Sequence, residues 1–188
     1  MRTVKLQVQV SVDGFAGGPG GELDWMTWNW DPALLQYVTD LTDSVDTMLG
    51  GRVLIEGFAP HWEGIQEDDP QYGFAQKMVG LKKVVFSRTQ TSFGWKNTEH
   101  AKGTMEETVG QLKQQPGKDI IVYGGASTVG QLIAKGLIDE LYLFVNPTAI
   151  GKGLPIFNQV EGKLGLTLIE CKAFGCGIVV LKYGPAAA

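Results

Sequence analysis

Two cysteines and two histidines in 188 residues leave little with which to hold a metal ion. His61, His100, Cys171 and Cys176 show no zinc-ligand spacing, so no metal is expected. Basic runs are missing too. None is longer than Lys82-Lys83, and 16 Lys and Arg against 20 Asp and Glu give a net charge of -4. That balance excludes a phosphate-tracking nucleic-acid surface. No apolar stretch approaches the roughly 20 residues that span a bilayer, so no membrane association is expected. The N-terminal MRTVKLQVQV alternates instead of forming a signal-peptide core, which points to the cytoplasm. Neither an internal repeat nor a linker divides the chain. Residues 1–184 are read as one domain and 185–188 as a tail.

What the chain has in excess is glycine, 26 residues placed at turns, as a backbone that bends sharply or admits ligands closely requires. Val4–Val10 alternates apolar and polar residues and reads as a strand exposed on one side. A glycine-rich loop, Gly17-Gly18-Pro19-Gly20-Gly21, follows. Asp31-Pro32 begins a helix as N-cap and first helical residue, with Leu34, Leu35, Val38 and Leu41 at helical spacing. Asp46–Leu49, Lys83–Phe86, Asp119–Tyr123 and Glu140–Asn146 read as strands. Arg52–Phe58, Tyr72–Gly80, a capping-box helix from Thr104 through Gln114, and Ser127–Lys135 read as helices. Leu164–Cys171 and Gly177–Tyr183 form a closing hairpin. If the turn between Cys171 and Cys176 closes it, the two could face each other, but two free thiols are expected in a cytosolic chain. Strands alternating with helices, then strands alone, predict an α/β protein with a mostly parallel sheet covered on both faces and an antiparallel C-terminal hairpin.

Three strand-to-helix or strand-to-loop turns carry chemistry. The first is Tyr123-Gly124-Gly125-Ala126-Ser127, where two glycines let an anion reach the unpaired N–H groups of a helix N-terminus. The second is Gly50-Gly51-Arg52, with a guanidinium suited to phosphate. The third is Ser87-Arg88-Thr89, with hydroxyls and another arginine. An extended, multiply phosphorylated cofactor spanning several strand ends would use all three. The first turn is neither a Walker loop nor a GxGxxG fingerprint. Ser127 lacks the G-x-S-x-G setting of a hydrolytic nucleophile.

With those turns placed, the chain resembles the dihydrofolate-reductase-like superfamily, and within it the reductase (C-terminal) domain of the riboflavin-biosynthesis deaminase-reductases. The resemblance is carried by Ser11-Val12-Asp13-Gly14-Phe15, by residues 49–56 (LGGRVLIE), by residues 84–89 (VVFSRT), and above all by residues 120–157. It runs from about Val4 to Tyr183. It implies a three-layer dihydrofolate-reductase-like fold, NADPH as hydride donor, and a homodimer. Carried over by position, Gly124, Gly125, Ala126, Ser127 and Thr128 match the pyrophosphate turn. Gly51 and Arg52 match the second phosphate-side turn, and Ser87 and Arg88 match the place where the 2′-phosphate is recognised. The loop after Asp13, reaching Leu23-Asp24-Trp25, corresponds to the flap beside the nicotinamide.

The nearest activity implied is 5-amino-6-(5-phosphoribosylamino)uracil reduction. Two departures stand against a direct carry-over. Riboflavin-pathway reductases follow the second turn with Asp-x-Pro-x-Leu-x-x-Arg, whereas this chain has Glu56-Gly57-Phe58-Ala59-Pro60-His61-Trp62. Leu23-Asp24-Trp25 is only a partial echo of the folate enzymes' Leu-Pro-Trp strip. The expected substrate is therefore a small, flat, pterin- or pyrimidine-like heterocycle. Asp24 and Asp31 are the candidate catalytic carboxyls, with a pKa raised if desolvated beside Trp25, Trp28 and Trp30. Trp25, Phe58 and Trp62 are candidates for stacking on the substrate. The alternative is a non-catalytic, dimeric nucleotide-binding protein that keeps the phosphate turns.

Overall fold

The structure is a computed structural model and describes residues 1–186. It holds eight strands and five helices: β1 (Val4–Ser11), α1 (Pro32–Asp43), β2 (Val45–Gly51), α2 (Arg52–Glu63), α3 (Tyr72–Gly80), β3 (Lys82–Phe86), β4 (Thr98–His100), α4 (Met105–Gln114), β5 (Asp119–Tyr123), α5 (Ala126–Ala134), β6 (Glu140–Asn146), β7 (Leu166–Ala173) and β8 (Val179–Pro185). The strands form one sheet in the order β4-β3-β2-β5-β1-β6-β8-β7. The first six in that order run parallel. β8 pairs antiparallel with both β6 and β7. This is the expected α/β arrangement, and the parallel strands all end at one edge of the sheet.

Hydrophobic burial divides the core into two layers. On one side Val4, Leu6, Val8 and Val10 of β1 pack with Val109 and Leu112 of α4 and Val129, Leu132 and Ile133 of α5. On the other, Met48, Ile121, Tyr123 and Phe144 pack with Leu34, Val38 and Leu41 of α1, Ile55 of α2 and Met78 of α3. The helices form where the sequence signals them. Asp31 accepts a hydrogen bond from the Leu34 N–H and Pro32 opens α1. Thr104 and Glu107 make the reciprocal capping box of α4.

Five expectations need correction. β1 is not exposed on one side: it lies between β5 and β6, with Lys5 and Gln7 only 8% and 7% exposed. Its polar face is covered, with Lys5 pairing with Asp119 and Ser44. Leu35 points to solvent, leaving the stripe to Leu34, Val38 and Leu41. The helix from Arg52 runs past Phe58 to Glu63, through Pro60. The three-residue β4, with no apolar alternation to announce it, forms at the end of the parallel array. At the C-terminus β8 continues through Pro185, and the Ala186 N–H donates to the Gly165 carbonyl, so the ordered chain extends into the expected tail. Cys171 lies opposite Leu181, Cys176 sits in the hairpin turn, and both are free thiols. No helix among the described residues is long and apolar enough to cross a membrane.

Candidate functional site

The three turns read from the sequence stand side by side. β3, β2 and β5 are consecutive in the sheet, so Ser87, Gly51 and Gly124 follow the carboxyl ends of three neighbouring strands. With neighbouring strands about 4.8 Å apart, the row spans roughly 10 Å. Gly124 and Gly125 have φ of +40° and +72°, left-handed values at two successive residues that glycine accommodates without steric cost. That pair turns the chain from β5 into α5 and presents the first N–H groups of the helix at the sheet edge.

The second turn approaches the first closely. A Cβ on Gly51 would lie 2.4 Å from Thr128 Oγ1, and Leu54 lies 3.5 Å from where a Cβ on Gly124 would be. The N-termini of α2 and α5 therefore converge on one place, and a side chain at position 51 would displace the Thr128 hydroxyl. Ser127 and Gly125 are exposed there, while Ala126 and Thr128 are half-buried. Arg52 lies along its own helix, its Nη1 2.6 Å from Glu56 Oε2, and both side chains are partly exposed. At the third turn Ser87 Oγ accepts the Thr89 and Gln90 N–H groups, which shapes the loop, and Arg88 is exposed. His100 of β4 braces this turn through the Ser87 carbonyl.

On the other flank of β5, the flap is tied to the loop after β6. Asp13 accepts the N–H groups of Ile150 and Gly151, at 3.2 and 2.7 Å. Its carboxyl is held below the usual range by the Ser11 side chain and these backbone donors. Ala16 and Leu154, and Leu154 and Gly17, exchange backbone bonds, and Phe15 bridges Pro155. A Cβ on Gly153 would sit 2.2 Å from the Gly17 carbonyl oxygen, so only glycine permits that contact. The far end of the flap is held by Asn146, fully buried at the carboxyl end of β6. Its Oδ1 accepts the Thr27 N–H, and its Nδ2 donates to Gln9 Oε1.

The candidate carboxyls separate in role. Asp24 is exposed on the flap. Asp31 uses Oδ1 for the Leu34 N–H and Oδ2 for the Cys176 N–H. Those donors, Leu34 first, hold its pKa below the ordinary 3.8. The expected upward shift is thus reversed for Asp31: the side chain caps α1 and accepts from the C-terminal hairpin turn, and the charged form is the bonded one. The expected single aromatic cluster is split. Trp28 and Trp30 stack at 6.5 Å beside the flap, where Trp25 bonds to the Glu22 carbonyl. Phe58 and Trp62 instead pack edge-on to each other and against Tyr123 and Phe74, on the core side of α2. His61 lies against Trp62.

Sequence reading passed over Gln7, Gln9 and Asn146 as solvent-facing or unremarkable. They line the covered face of β1 and β6, and the Gln7 Oε1 is buried without a partner. The available signal was two glutamines in a strand leading directly to the flap. Tyr123 shares that layer. Its hydroxyl meets Thr42 Oγ1 at 3.1 Å, and burial pushes its pKa up to about 12, so it holds α1 to the sheet as a neutral group.

Comparison with known proteins places this geometry. The profile of the RibD C-terminal domain matches residues 2–180. The Bacillus subtilis protein YyaP is 33% identical over 182 residues, covering 97% of this chain and 94% of its own. The riboflavin biosynthesis protein RibD of Corynebacterium ammoniagenes is 22% identical, and the match covers 87% of this chain but half of that longer protein. Among solved structures, one from Shewanella sp. PV-4 superposes with a TM-score of 0.73 at 21% identity, covering both chains fully. The Thermotoga maritima diaminohydroxyphosphoribosylaminopyrimidine deaminase/5-amino-6-(5-phosphoribosylamino)uracil reductase gives 0.70 at 15% identity, over 98% of this chain and 57% of that one. The sheet is the dihydrofolate-reductase-like one that the resemblance implies, and the chain belongs to the RibD C-terminal domain family.

Proposed function

We propose that this protein is an NADPH-dependent reductase acting on a small, flat, pterin- or pyrimidine-like heterocycle. The observation that carries the proposal is the alignment of three anion-competent turns on three consecutive strand ends. The residues present fit such a cofactor. The left-handed Gly124-Gly125 pair and the first turn of α5 would take the pyrophosphate, with Gly51 and the start of α2 beside it. Ser87 and the exposed Arg88 would take the 2′-phosphate. NADPH supplies the hydride when bound; the protein's part is to bind, orient and exclude water.

The substrate would lie between the flap and the covered face of β1. Trp25 offers an aromatic ring there. Phe58 and Trp62 would shape that wall from the core side of α2. Asp24, or water admitted beside it, would deliver the proton, while Asp31 keeps α1 in place. The stretch from Glu56 to Trp62 lacks the family's Asp and Arg for a ribose phosphate, which favours a substrate without that group over the riboflavin intermediate. The protein would work as a homodimer in the cytoplasm.

The test is NADPH oxidation, followed by loss of its absorbance, against a panel of pterins, pyrimidines and the phosphoribosylaminouracil. Steady turnover with a non-phosphorylated heterocycle is expected. Cofactor binding without turnover across the panel would favour a non-catalytic nucleotide-binding protein. Failure of millimolar NADPH or NADH to raise the melting temperature would remove both readings.

A further inference from the structure

β4 is three residues long and is the last strand on its side of the sheet among the described residues. It runs parallel to β3 with His100 opposite Val85, so the imidazole stands at the carboxyl end of β3. There His100 Nε2 lies 2.9 Å from the Ser87 carbonyl oxygen. A carbonyl only accepts, so Nε2 is the donor, as it can be in the neutral and in the charged ring alike. Phe93 lies nearly parallel to the imidazole, at 22° with the ring centres 6.5 Å apart, and itself packs against the core layer of Met48 and Ile121. We propose that His100 is a positioning residue for the cofactor's 2′-phosphate: by holding the Ser87 carbonyl it keeps the Ser87-Arg88 turn as a set of donors, and so sets the preference for NADPH over NADH. This rests on the cofactor part of the reductase reading.

The hydroxyl's own chemistry decides what the turn can bind. Ser87 Oγ accepts the Gln90 N–H at 3.0 Å and the Thr89 N–H at 3.3 Å. A hydroxyl has two lone pairs and one proton. With both pairs taken only the proton is left to offer, and among the described residues it has no acceptor. Ser87 therefore acts toward a ligand as a donor alone. Arg88, next in the chain and exposed, likewise carries donors and no acceptor. A phosphate, charged and rich in acceptors, is matched by such a pair; a ribose hydroxyl accepts only through a neutral oxygen and gains less.

What keeps the hydroxyl in that state is the geometry of the Ser87-Arg88 peptide. The other polar contacts of the turn are local: the two N–H bonds to Oγ, and Gln90 Nε2 donating to the Ser92 carbonyl at 2.7 Å. The bond from His100 ties the same peptide to a separate strand, thirteen residues away. Without it the peptide is free to rotate, and the N–H bonds that saturate Oγ loosen with it. Oγ then becomes an acceptor as well as a donor, and the bias toward an anion falls.

The test needs neither substrate nor turnover. Adenosine 2′,5′-bisphosphate and AMP differ only in the 2′-phosphate, and their affinities are compared by isothermal titration calorimetry. The parent protein should bind the bisphosphate at least about tenfold more tightly. His100→Phe keeps a ring against Phe93 and removes the donor; it should lose about fivefold in affinity for the bisphosphate and none for AMP. His100→Gln, whose amide N–H reaches toward the position of Nε2, should restore the difference. In the parent protein the His100 Nε2–H resonance should shift on adding the bisphosphate and not on adding AMP, a readout that does not depend on any variant folding. A parent protein that binds both nucleotides alike overturns the proposal together with the 2′-phosphate role of Ser87 and Arg88, and leaves the pyrophosphate turns and the reductase reading in place. A preference that H100F leaves intact, or a His100 resonance indifferent to the bisphosphate, overturns the role of His100 alone. Equal losses in H100F and H100Q overturn the hydrogen bond as its means.

Discussion

Gly125 and Asp31 show how differently a single residue is constrained by its neighbours and by the rest of the molecule. Gly125 has a φ of +72° directly before the first N–H groups of α5. A β-branched residue there costs roughly 1–2 kcal/mol of backbone strain and places methyl groups where the pyrophosphate would sit. Gly125→Val is therefore expected to abolish the NADPH-dependent fluorescence change in protein that is still folded by circular dichroism. Asp31 is legible as a cap from Asp-Pro alone, but its second oxygen is taken by Cys176, a contact no local pattern announces. Because its folded pKa is depressed, its charge contributes stability above the ordinary 3.8, and that contribution disappears as pH falls through the lower folded value. Asp31→Asn retains the capping oxygen. It should lower stability slightly at neutral pH, a difference that vanishes in acid, and leave turnover nearly intact. A hundredfold fall in kcat would restore Asp31 as the proton donor.

At the scale of elements, the pattern of side chains announced most helices and strands, but not what covers them. β1 alternates as a half-exposed strand would, yet its polar row meets Asp119, Ser44 and Asn146. Alternation distinguishes two faces and says nothing of the layer laid over either. β4 escaped because three residues carry no period. Lys83 is the sharpest case: a strand residue of full charge, with 0% exposure, between α3 and the Trp95 loop. Its ammonium donates to the carbonyls of Val79 and Lys96 and lies 4.4 Å from the Trp95 ring centre. Burial lowers its pKa to about 8 from an ordinary 10.5. Between those values the unfolded chain holds more protons than the folded one, so Lys83 adds to stability as pH rises. Against Lys83→Met, which does not titrate, the parent protein should gain relative stability from pH 8 to 10.5 in urea titrations. A pH-independent difference would show that burial does not lower the pKa of Lys83 and that its ammonium titrates in the fold as it does in the unfolded chain.

For the molecule as a whole, the three turns were each legible, but their adjacency was not. β2, β3 and β5 are separated in the chain by helices and loops, and only the strand order brings Gly51, Ser87 and Gly124 into one row. A ligand that spans this row ties β3, β2, β5 and the starts of α2 and α5 together, so its binding should be read by global unfolding. At a hundred times its Kd, such a ligand adds about 2.7 kcal/mol. For a chain of this length that corresponds to about 5–10 °C in Tm. NADPH is expected to produce that rise. Arg88 lies at the end of the row, exposed and just beyond β3, and is the residue proposed to meet the 2′-phosphate. Losing one charge-assisted contact of about 1.5–3 kcal/mol should weaken binding roughly 10- to 100-fold. Arg88→Ala should therefore lose about half or more of the NADPH-dependent rise at fixed concentration and keep whatever rise NADH gives. The two cofactors differ only in that phosphate, so equal losses for both would place the 2′-phosphate elsewhere along the sheet edge.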